Sequence, residues 1–361
     1  MCQMNSRERI EAAFTHGAPD RTPTFEYVIL SGMAGRLLGR RCFTYDDGDE
    51  WVAAVCELGW LEALRQYITD RLDLAQLLGH DLMYIMPAPP PPTNGAMPSN
   101  DEPSPDDPVE RVRHRTKQGC QLPLELHEDS MSVYLLMREE MERRDMDLPM
   151  LAPACAHGIW TDVDLMETML LEPEVAHEHF ALATRRSLAW TDQYLSVGVD
   201  QVSVGGDFAG NRPLISPQAY REFIMPGVKE VTNRVHEGGR RALNASDGDL
   251  WPVIDDFLNG CGVDGYLEID RSAGMDLRRL KQEFGDHITL YGNMDCGLEL
   301  SYYTPEEIRR LVIDCIEAGA GNGGHVFCAS NAITASIPLA NYVAMVDAYR
   351  EVFTLPKLRA V

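Results

Sequence analysis

The chain has 361 residues, 45% of them hydrophobic, and a formal net charge of −24. Such a charge repels nucleic acid and anionic membrane surfaces, so both are excluded as partners and a neutral or cationic substrate is favoured. No apolar run of about eighteen residues or more occurs, which predicts that no helix spans a membrane.

The nine cysteines are scattered singly, with no CxxC pair and no spacing typical of a disulfide framework. In a long chain this pattern favours reduced thiols and therefore a cytoplasmic protein. The length and the apolar content suffice for one large barrel as well as for two domains.

The predicted secondary structure alternates between strands and helices. Eight short apolar segments are predicted to be strands, at 22–30, 80–87, 148–157, 199–208, 240–244, 263–267, 287–291 and 323–330. The predicted helices lie at 5–17, 31–40, 48–66, 69–78, 131–144, 216–239, 304–320 and 338–353, with two more within 165–198. Strand–helix alternation implies parallel pairing, and eight such units match a closed (β/α)8 barrel. We therefore expect an α/β protein whose residues 1–361 form a single barrel domain with N-terminal helices.

Two stretches between the second and third predicted strands interrupt the alternation. Residues 88–108 are rich in proline, which cannot join the interior of a helix or sheet, and they are expected to form a surface loop or a lid over the barrel mouth. Residues 109–127 alternate apolar and polar side chains, which predicts a β-hairpin.

Polar side chains cluster at the predicted C-terminal ends of the strands, where the chemistry of such barrels takes place. They are Glu26 or Tyr27, His157, Asp207, Asn244, Asp247, Glu268, Asn293 and Asn331. Carboxylates buried side by side have raised pKa values, and they could act as general acids, bind a metal or bind a cationic group. The alternative for any single acidic residue, such as Asp249, is that it caps the next helix.

Other candidate groups at the strand ends are one histidine and three cysteines. His157 is the only histidine placed at a strand end, where a lone histidine is more often structural. Cys155, Cys296 and Cys328 lie on or just after predicted strands and could meet as zinc ligands. Cysteines on strands are usually part of the core, which we favour for Cys155 and Cys328, while Cys296 remains open.

Several long segments together resemble the uroporphyrinogen decarboxylase superfamily, which includes the decarboxylase and the corrinoid-dependent methyltransferases. They are SRERIEAAFTHGAPDRTPTFEY, GGDFAG with LISPQAYREFIMPGVKEV, SDGDLWPVIDDFLNGCGVDGYLEID, LYGNMD and GGHVFCASNAITASIPLANYVAMVDAYREV. The resemblance covers nearly the whole length and implies a (β/α)8 barrel.

The motifs of the two branches differ from this sequence. The decarboxylase branch carries an arginine-rich motif after the first strand, whereas this chain has PTFEYVILSGMAGR, which argues against a substrate with many carboxylates. The methyltransferase branch typically carries a His-x-Cys-Gly zinc motif. Gly248 matches its glycine, but Asp247 takes the cysteine position, Ala245 takes the histidine position, and the distant cysteine falls near Asn331. The usual zinc ligands are therefore absent, and zinc remains open only through oxygen ligands such as Asp247 and Glu268.

The closer resemblance, to superfamily members found beside corrinoid proteins, implies methyl transfer. A methyl group would pass from a small methylated compound, of methoxylated or methylamine type, to a corrinoid carried by a partner protein that docks over the barrel mouth. We predict Asp207, Asp247 and Glu268 as catalytic residues. The predicted substrate-binding residues are Tyr27, His157, Asn244, Asn293 and Asn331.

Two further hypotheses stay open. One is a decarboxylase or other lyase that acts on a small acid through a protonated carboxyl group. The other is a non-catalytic protein that binds a corrinoid or tetrapyrrole partner. A homodimer is compatible with the sequence, which does not fix the oligomeric state.

Overall fold

The computed structural model describes residues 4–92 and 105–358, and there seven short strands form one parallel sheet. The strands pair in sequence order from β1 to β7. They are β1 Met83–Tyr84, β2 Met150–Pro153, β3 Gln201–Gly205, β4 Arg241–Ala245, β5 Gly265–Leu267, β6 Thr289–Tyr291 and β7 His325–Val326. Because all neighbours are parallel, the carboxyl ends of the strands meet at one edge of the sheet.

Helices precede the sheet, lie between its strands and follow the last strand. They are α1 Ser6–Phe14, α2 Ser31–Leu38, α3 Gly48–Leu58, α4 Trp60–Leu78, α5 Pro108–Gly119, α6 Ser132–Arg143, α7 Val163–Leu171, α8 Pro173–Ser196, α9 Pro217–Ala219, α10 Met225–Glu237, α11 Leu277–Phe284, α12 Glu299–Tyr302, α13 Pro305–Gly319 and α14 Leu339–Val352. A π-helical turn, Tyr220–Ile224, joins α9 to α10. Among the described residues, none of these helices combines the length and the apolarity needed to cross a bilayer.

The predicted α/β class is confirmed, but the predicted first strand is not a regular strand. Residues 24–29 form two isolated parallel bridges, between Thr24 and Phe327 and between Ile29 and Ile333. On the other side, the Asp81 N–H donates to the Thr24 carbonyl. The segment therefore lies between the ends of β7 and β1, which is where an eighth strand would pair.

The predicted hairpin at 109–127 was wrong, because helix α5 begins this stretch. The Asp107 side chain accepts a hydrogen bond from the Glu110 N–H, and Pro108 occupies the first turn. Val109, Val112 and Thr116 are buried on one face of the helix. A capping aspartate followed by proline is a helix-start signal that the alternation of residues concealed. Of the proline-rich segment 88–108, residues 93–104 lie outside the described residues.

Replacing Asp107 with Ala is expected to lower the free energy of unfolding by about 1 kcal/mol, because the cap of α5 is lost. Glu125→Ala is the charge-matched control, because Glu125 is exposed. Urea unfolding followed by circular dichroism measures both variants. Equal midpoints for Asp107→Ala and the control would contradict the role of the cap.

The core has two layers, one inside the curled sheet and one between the sheet and the helices. Leu243 and Ala245 of β4 point into the inner layer with Leu267 and Tyr291. Ala242 belongs to the outer layer. Because side chains alternate along a strand, Asn244 is directed to the helices.

Candidate functional site

Three carboxylates meet at the carboxyl edge of the sheet. Asp207 follows β3, Asp247 follows β4 and Glu268 follows β5, and these strands are neighbours. One oxygen atom from each side chain lies within 4.8 Å of the other two. We call these three residues the carboxylate cluster. The structure thus brings together the three residues that the sequence predicts as catalytic, and their catalytic role stays a prediction.

Unusual backbone conformations hold the cluster in place. Glu268 has a φ of +66°, and its N–H donates to the Tyr27 hydroxyl oxygen over 2.9 Å. The Asp247 N–H donates to Asp207 Oδ1 over 3.0 Å. Gly248 has a φ of +97° and lies so close to Ala209 that an added Cβ would be 2.7 Å from that carbonyl carbon. Each carboxylate is therefore positioned by main-chain geometry.

The three carboxyl groups of the cluster lie close together without a cationic side chain in ion-pair contact. Within the described part of the chain, none of its members forms an ion pair with Lys, Arg or His. Burial raises the pKa of Asp247 to about 7, and the charges of Asp207 and Asp270 add to this effect. Burial, with the charges of its two partners, raises the pKa of Glu268 well above its usual value. Burial also raises the pKa of Asp207, against the effect of its bond from the Asp247 N–H.

The cluster lies between two cavities. The inner chamber has a volume of about 520 Å³ and a mainly apolar wall, which includes Tyr27, Tyr84, Cys155, Trp190, Tyr194, Asp207 and Glu268. The outer cleft has a volume of about 630 Å³, and its wall includes Trp160, Asp207, Arg212, Asp247, Asp270, Asp295 and Asn331. Asp207 belongs to both walls, whereas Glu268 faces the inner chamber and Asp247 the outer cleft.

Two of the five predicted substrate-binding residues lie beside the cluster. Tyr27 lines the inner chamber. Asn331 lines the outer cleft, and its Nδ2 donates to Asp247 Oδ2 over 3.0 Å. Both side chains contact the cluster directly, through Glu268 and Asp247 respectively.

The other three predicted residues lie elsewhere. His157 is buried with its Nε2 2.9 Å from Thr184 Oγ1 on α8, and burial lowers its pKa to about 4. Asn244 donates to the Phe257 carbonyl, behind the sheet. Asn293 donates to the Met275 carbonyl and borders a separate cavity of about 280 Å³. A strand-end position therefore did not place these side chains in the site.

The aromatic wall of the inner chamber was missed by sequence reasoning. Tyr84 lies on β1, while Trp190 and Tyr194 are four residues apart on α8. The spacing of the two α8 aromatics puts them on one helix face, but nothing in the sequence indicates which cavity that face borders. Tyr84 lies in the middle of the strand predicted at 80–87, which gives no indication that its side chain lines a cavity.

The donor atoms at the site favour oxygen coordination over thiolate coordination. Among the described residues, the carboxylate cluster is the single group of three or more possible metal ligands. Cys155 lines the inner chamber with its Sγ 3.2 Å from Ser203 Oγ, Cys296 lies beside Ser330, and Cys328 is buried. Carboxylate oxygens suit hard divalent cations such as Mg²⁺, Ca²⁺ or Mn²⁺. The residues present thus fit a hard cation and do not fit a zinc site built from thiolates.

A known protein family matches this chain over the stretch that contains the site. The family model described as "Uroporphyrinogen decarboxylase (URO-D)" matches residues 161–352, just over half of the 361 residues. That stretch contains all three members of the carboxylate cluster.

Individual proteins show more distant similarity. The uroporphyrinogen decarboxylase of Coxiella burnetii is 27% identical over 183 residues, which are 49% of this chain and 47% of that protein. The enzyme of the same name from Psychromonas ingrahamii is 25% identical over 187 residues, 50% of this chain and 49% of that protein. The chain thus spans about half the length of the curated relatives it matches.

Among solved structures, a methyltransferase from Methanosarcina mazei has a similar fold. Its TM-score is 0.69 with 16% sequence identity, and the match covers 97% of this chain and 99% of that chain. At this identity the likeness describes the shared fold.

Proposed function

Because this chain belongs to the uroporphyrinogen decarboxylase family, we propose that it is an enzyme of that superfamily that transfers a methyl group from a small methylated compound to the cobalt of a corrinoid protein. The observation that supports this best is the position of the carboxylate cluster between two cavities, the inner chamber and the outer cleft. Two reactants can then approach the same point from two sides.

In this proposal the inner chamber binds the methyl donor. Its volume of about 520 Å³ falls in the range of small-molecule sites. Glu268 and Asp207 lie where the reacting end of the donor would point. Cobalt(I) is itself a strong nucleophile, so the protein mainly has to orient the methyl group and exclude water. For an ether donor, a protonated carboxyl group of the cluster would donate to the departing oxygen.

The methyl acceptor is proposed to approach through the outer cleft. Trp160, which is 53% exposed, and Leu214, which is 40% exposed, stand at its wall. The cleft wall carries four aspartates and one arginine, Arg212. Exposed apolar side chains around a depression with this excess of acidic groups suit a protein partner with apolar and basic groups on its docking face. A corrinoid protein placed there would present its cobalt to the cluster.

The cluster is also the place where a divalent cation would bind, through Asp207, Asp247 and Glu268. Such an ion would act as a Lewis acid on a departing oxygen. The carboxylates themselves would orient the donor and hold or release the proton that an oxygen leaving group requires.

Decarboxylation of a small acid is the second candidate, favoured by the names of the curated relatives. A protonated carboxyl group could supply the proton that replaces carbon dioxide. However, none of the described residues that line the inner chamber is Lys, Arg or His. A carboxylate substrate would therefore meet carboxylates without a compensating cation.

Methyl transfer is tested with purified protein, cobalamin reduced to the cobalt(I) state and a panel of methyl donors that carry a labelled methyl group. We expect label in methylcobalamin. Asn331→Ala should slow transfer about tenfold, because the hydrogen bond that orients Asp247 is lost. Asn259→Ala, an exposed asparagine on the outside of the fold, is the control. Small acids with a labelled carboxyl group test the alternative. Release of labelled carbon dioxide from them without any methyl transfer would support the decarboxylase instead.

A further inference from the structure

We propose that the inner chamber selects a quaternary ammonium compound as the methyl donor. The statement that this compound is the methyl donor rests on the proposed function. The binding that it describes can nevertheless be measured without turnover.

The first observation is a pair of carboxyl groups that lie in a mainly apolar wall without a cationic partner. Glu268 and Asp207 are the charged side chains in the described wall, which otherwise consists mainly of aromatic, aliphatic and proline residues. The third carboxylate, Asp247, adjoins them from the outer cleft. Partly buried carboxylates without a partner gain most from a ligand that brings a positive charge of its own.

The second observation concerns the aromatic walls, whose polar atoms are mostly occupied. The Trp190 Nε1–H donates to the Leu124 carbonyl, and the Tyr194 hydroxyl donates to the Pro153 carbonyl. The Tyr27 hydroxyl oxygen accepts from the Glu268 N–H. Tyr27 and Tyr194 are almost fully buried. The ring surface of the chamber therefore comes mainly from the half-buried Tyr84 and Trp190, and the wall offers few hydrogen-bond donors.

A quaternary ammonium group matches both observations. It carries a positive charge, has no N–H group and binds to aromatic rings through cation–π attraction. An aryl ether of similar size would gain from the apolar walls but would leave the two carboxyl groups without a cationic partner. The chamber of about 520 Å³ is large enough for a small ammonium compound and for the groups attached to it.

The chemistry balances without a further reactant. The bond between the methyl carbon and nitrogen breaks, and its electron pair stays on nitrogen, which leaves as a neutral tertiary amine. The new bond forms between the methyl carbon and cobalt(I), which supplies both electrons and becomes cobalt(III). No proton is required for the leaving group. The role of Glu268 and Asp207 is then to bind the cation rather than to act as acids.

Two probes of the same shape test the charge requirement. Choline has a quaternary nitrogen where 3,3-dimethyl-1-butanol has a carbon atom. A third probe, methoxybenzene, represents an aryl ether donor. Titration calorimetry in the presence of a chelator measures each affinity for the full-length protein. We expect choline to bind at least about tenfold more tightly than the neutral isostere. Equal or weaker binding of choline, tighter binding of methoxybenzene or no binding of any probe would each overturn the inference.

Variants assign the effect to the chamber. Glu268→Gln should reduce the preference for choline about tenfold, and Tyr84→Leu should reduce it several-fold because an aromatic ring is lost. Glu26→Gln is the matched control, since Glu26 is buried outside the chamber wall and accepts from the Ala329 N–H. An undiminished preference in Glu268→Gln, or an equal loss in Glu26→Gln, would overturn the assignment.

Failure of this inference can be told apart from failure of the proposed function. Label transfer from methoxylated donors without choline binding would refute the ammonium donor and keep the methyltransferase. Choline binding without label transfer from any donor would keep the ammonium site and refute the methyltransferase.

Discussion

Asp247→Asn is expected to make the protein more stable and less active. The folded state places this carboxylate beside Asp207 and Asp270, and burial with their charges raises its pKa to about 7. Ionising it in the folded protein therefore costs free energy that the neutral amide avoids. We expect a gain of about 2 kcal/mol in the free energy of unfolding at pH 8, allowing for partial exposure. Methyl transfer should fall about 100-fold, because one of the charges at the reacting centre is lost.

The gain in stability should depend on pH in a defined direction. Below about pH 4 the carboxyl group is protonated in both folded and unfolded chains, so the variant has no advantage. Between about pH 4 and pH 7 the unfolded chain releases the proton while the folded chain keeps it, so wild-type stability falls as pH rises. The advantage of the variant should therefore grow across this range and level off above pH 7. Urea unfolding at several pH values measures it.

Asp264→Asn provides the control of opposite sign. Asp264 accepts hydrogen bonds from the Ala242 N–H and from His236, and the pKa of its carboxyl group is lowered by these partners against the effect of burial. The amide should destabilise the protein at pH 7. If both variants lost stability, the cluster would be a structural element rather than a site held at an energetic cost.

Gly248→Ala is expected to cost about 3 kcal/mol of stability and to reduce methyl transfer about 100-fold. The added Cβ would lie 2.7 Å from the Ala209 carbonyl carbon and from the Gly210 oxygen. Both are main-chain atoms, so the loop after β4 would have to move. Because Asp247 precedes this glycine and bonds to Asp207 through its N–H, the cluster would move with the loop.

Gly274→Ala separates close approach from backbone strain. Gly274 has a φ of +89°, and a Cβ there would meet no other atom within 4 Å. Its substitution should cost about 1 kcal/mol from the left-handed conformation alone and should leave methyl transfer unchanged. Thermal unfolding and the methyl-transfer assay on both variants test the difference. Similar losses in the two proteins would show that strain, and not the approach to Ala209, sets the effect.

The carboxylate cluster was predictable because its residues directly follow buried strands. Asp207, Asp247 and Glu268 lie beyond the last hydrogen-bonded residues of β3, β4 and β5, so parallel pairing brings them to one edge. Asn244 was misplaced because it lies within β4, where a shift of one residue moves a side chain to the opposite face. The sequence does not fix where a strand ends to that accuracy.

The aromatic wall depends on packing between distant elements. Tyr84 on β1 and Trp190 on α8 are more than one hundred residues apart in the chain, and each alone looks like a core residue. The helix at 108–119 was missed for a local reason, since its cap signal lies in the polar end of a proline-rich stretch. Neither the apolarity nor the alternation of a short segment was therefore sufficient to predict these two features.

Asp207 lines both cavities, so that ligands bound in the inner chamber and in the outer cleft would be thermodynamically linked. A cation in the inner chamber favours the ionised form of Asp207, and the same added charge is felt in the outer cleft. The affinity of whatever binds in the cleft then depends on whether the chamber is filled. By reciprocity, the second ligand changes the affinity of the first by the same factor. A single shared side chain can thus make the two binding steps cooperative without any movement of the sheet.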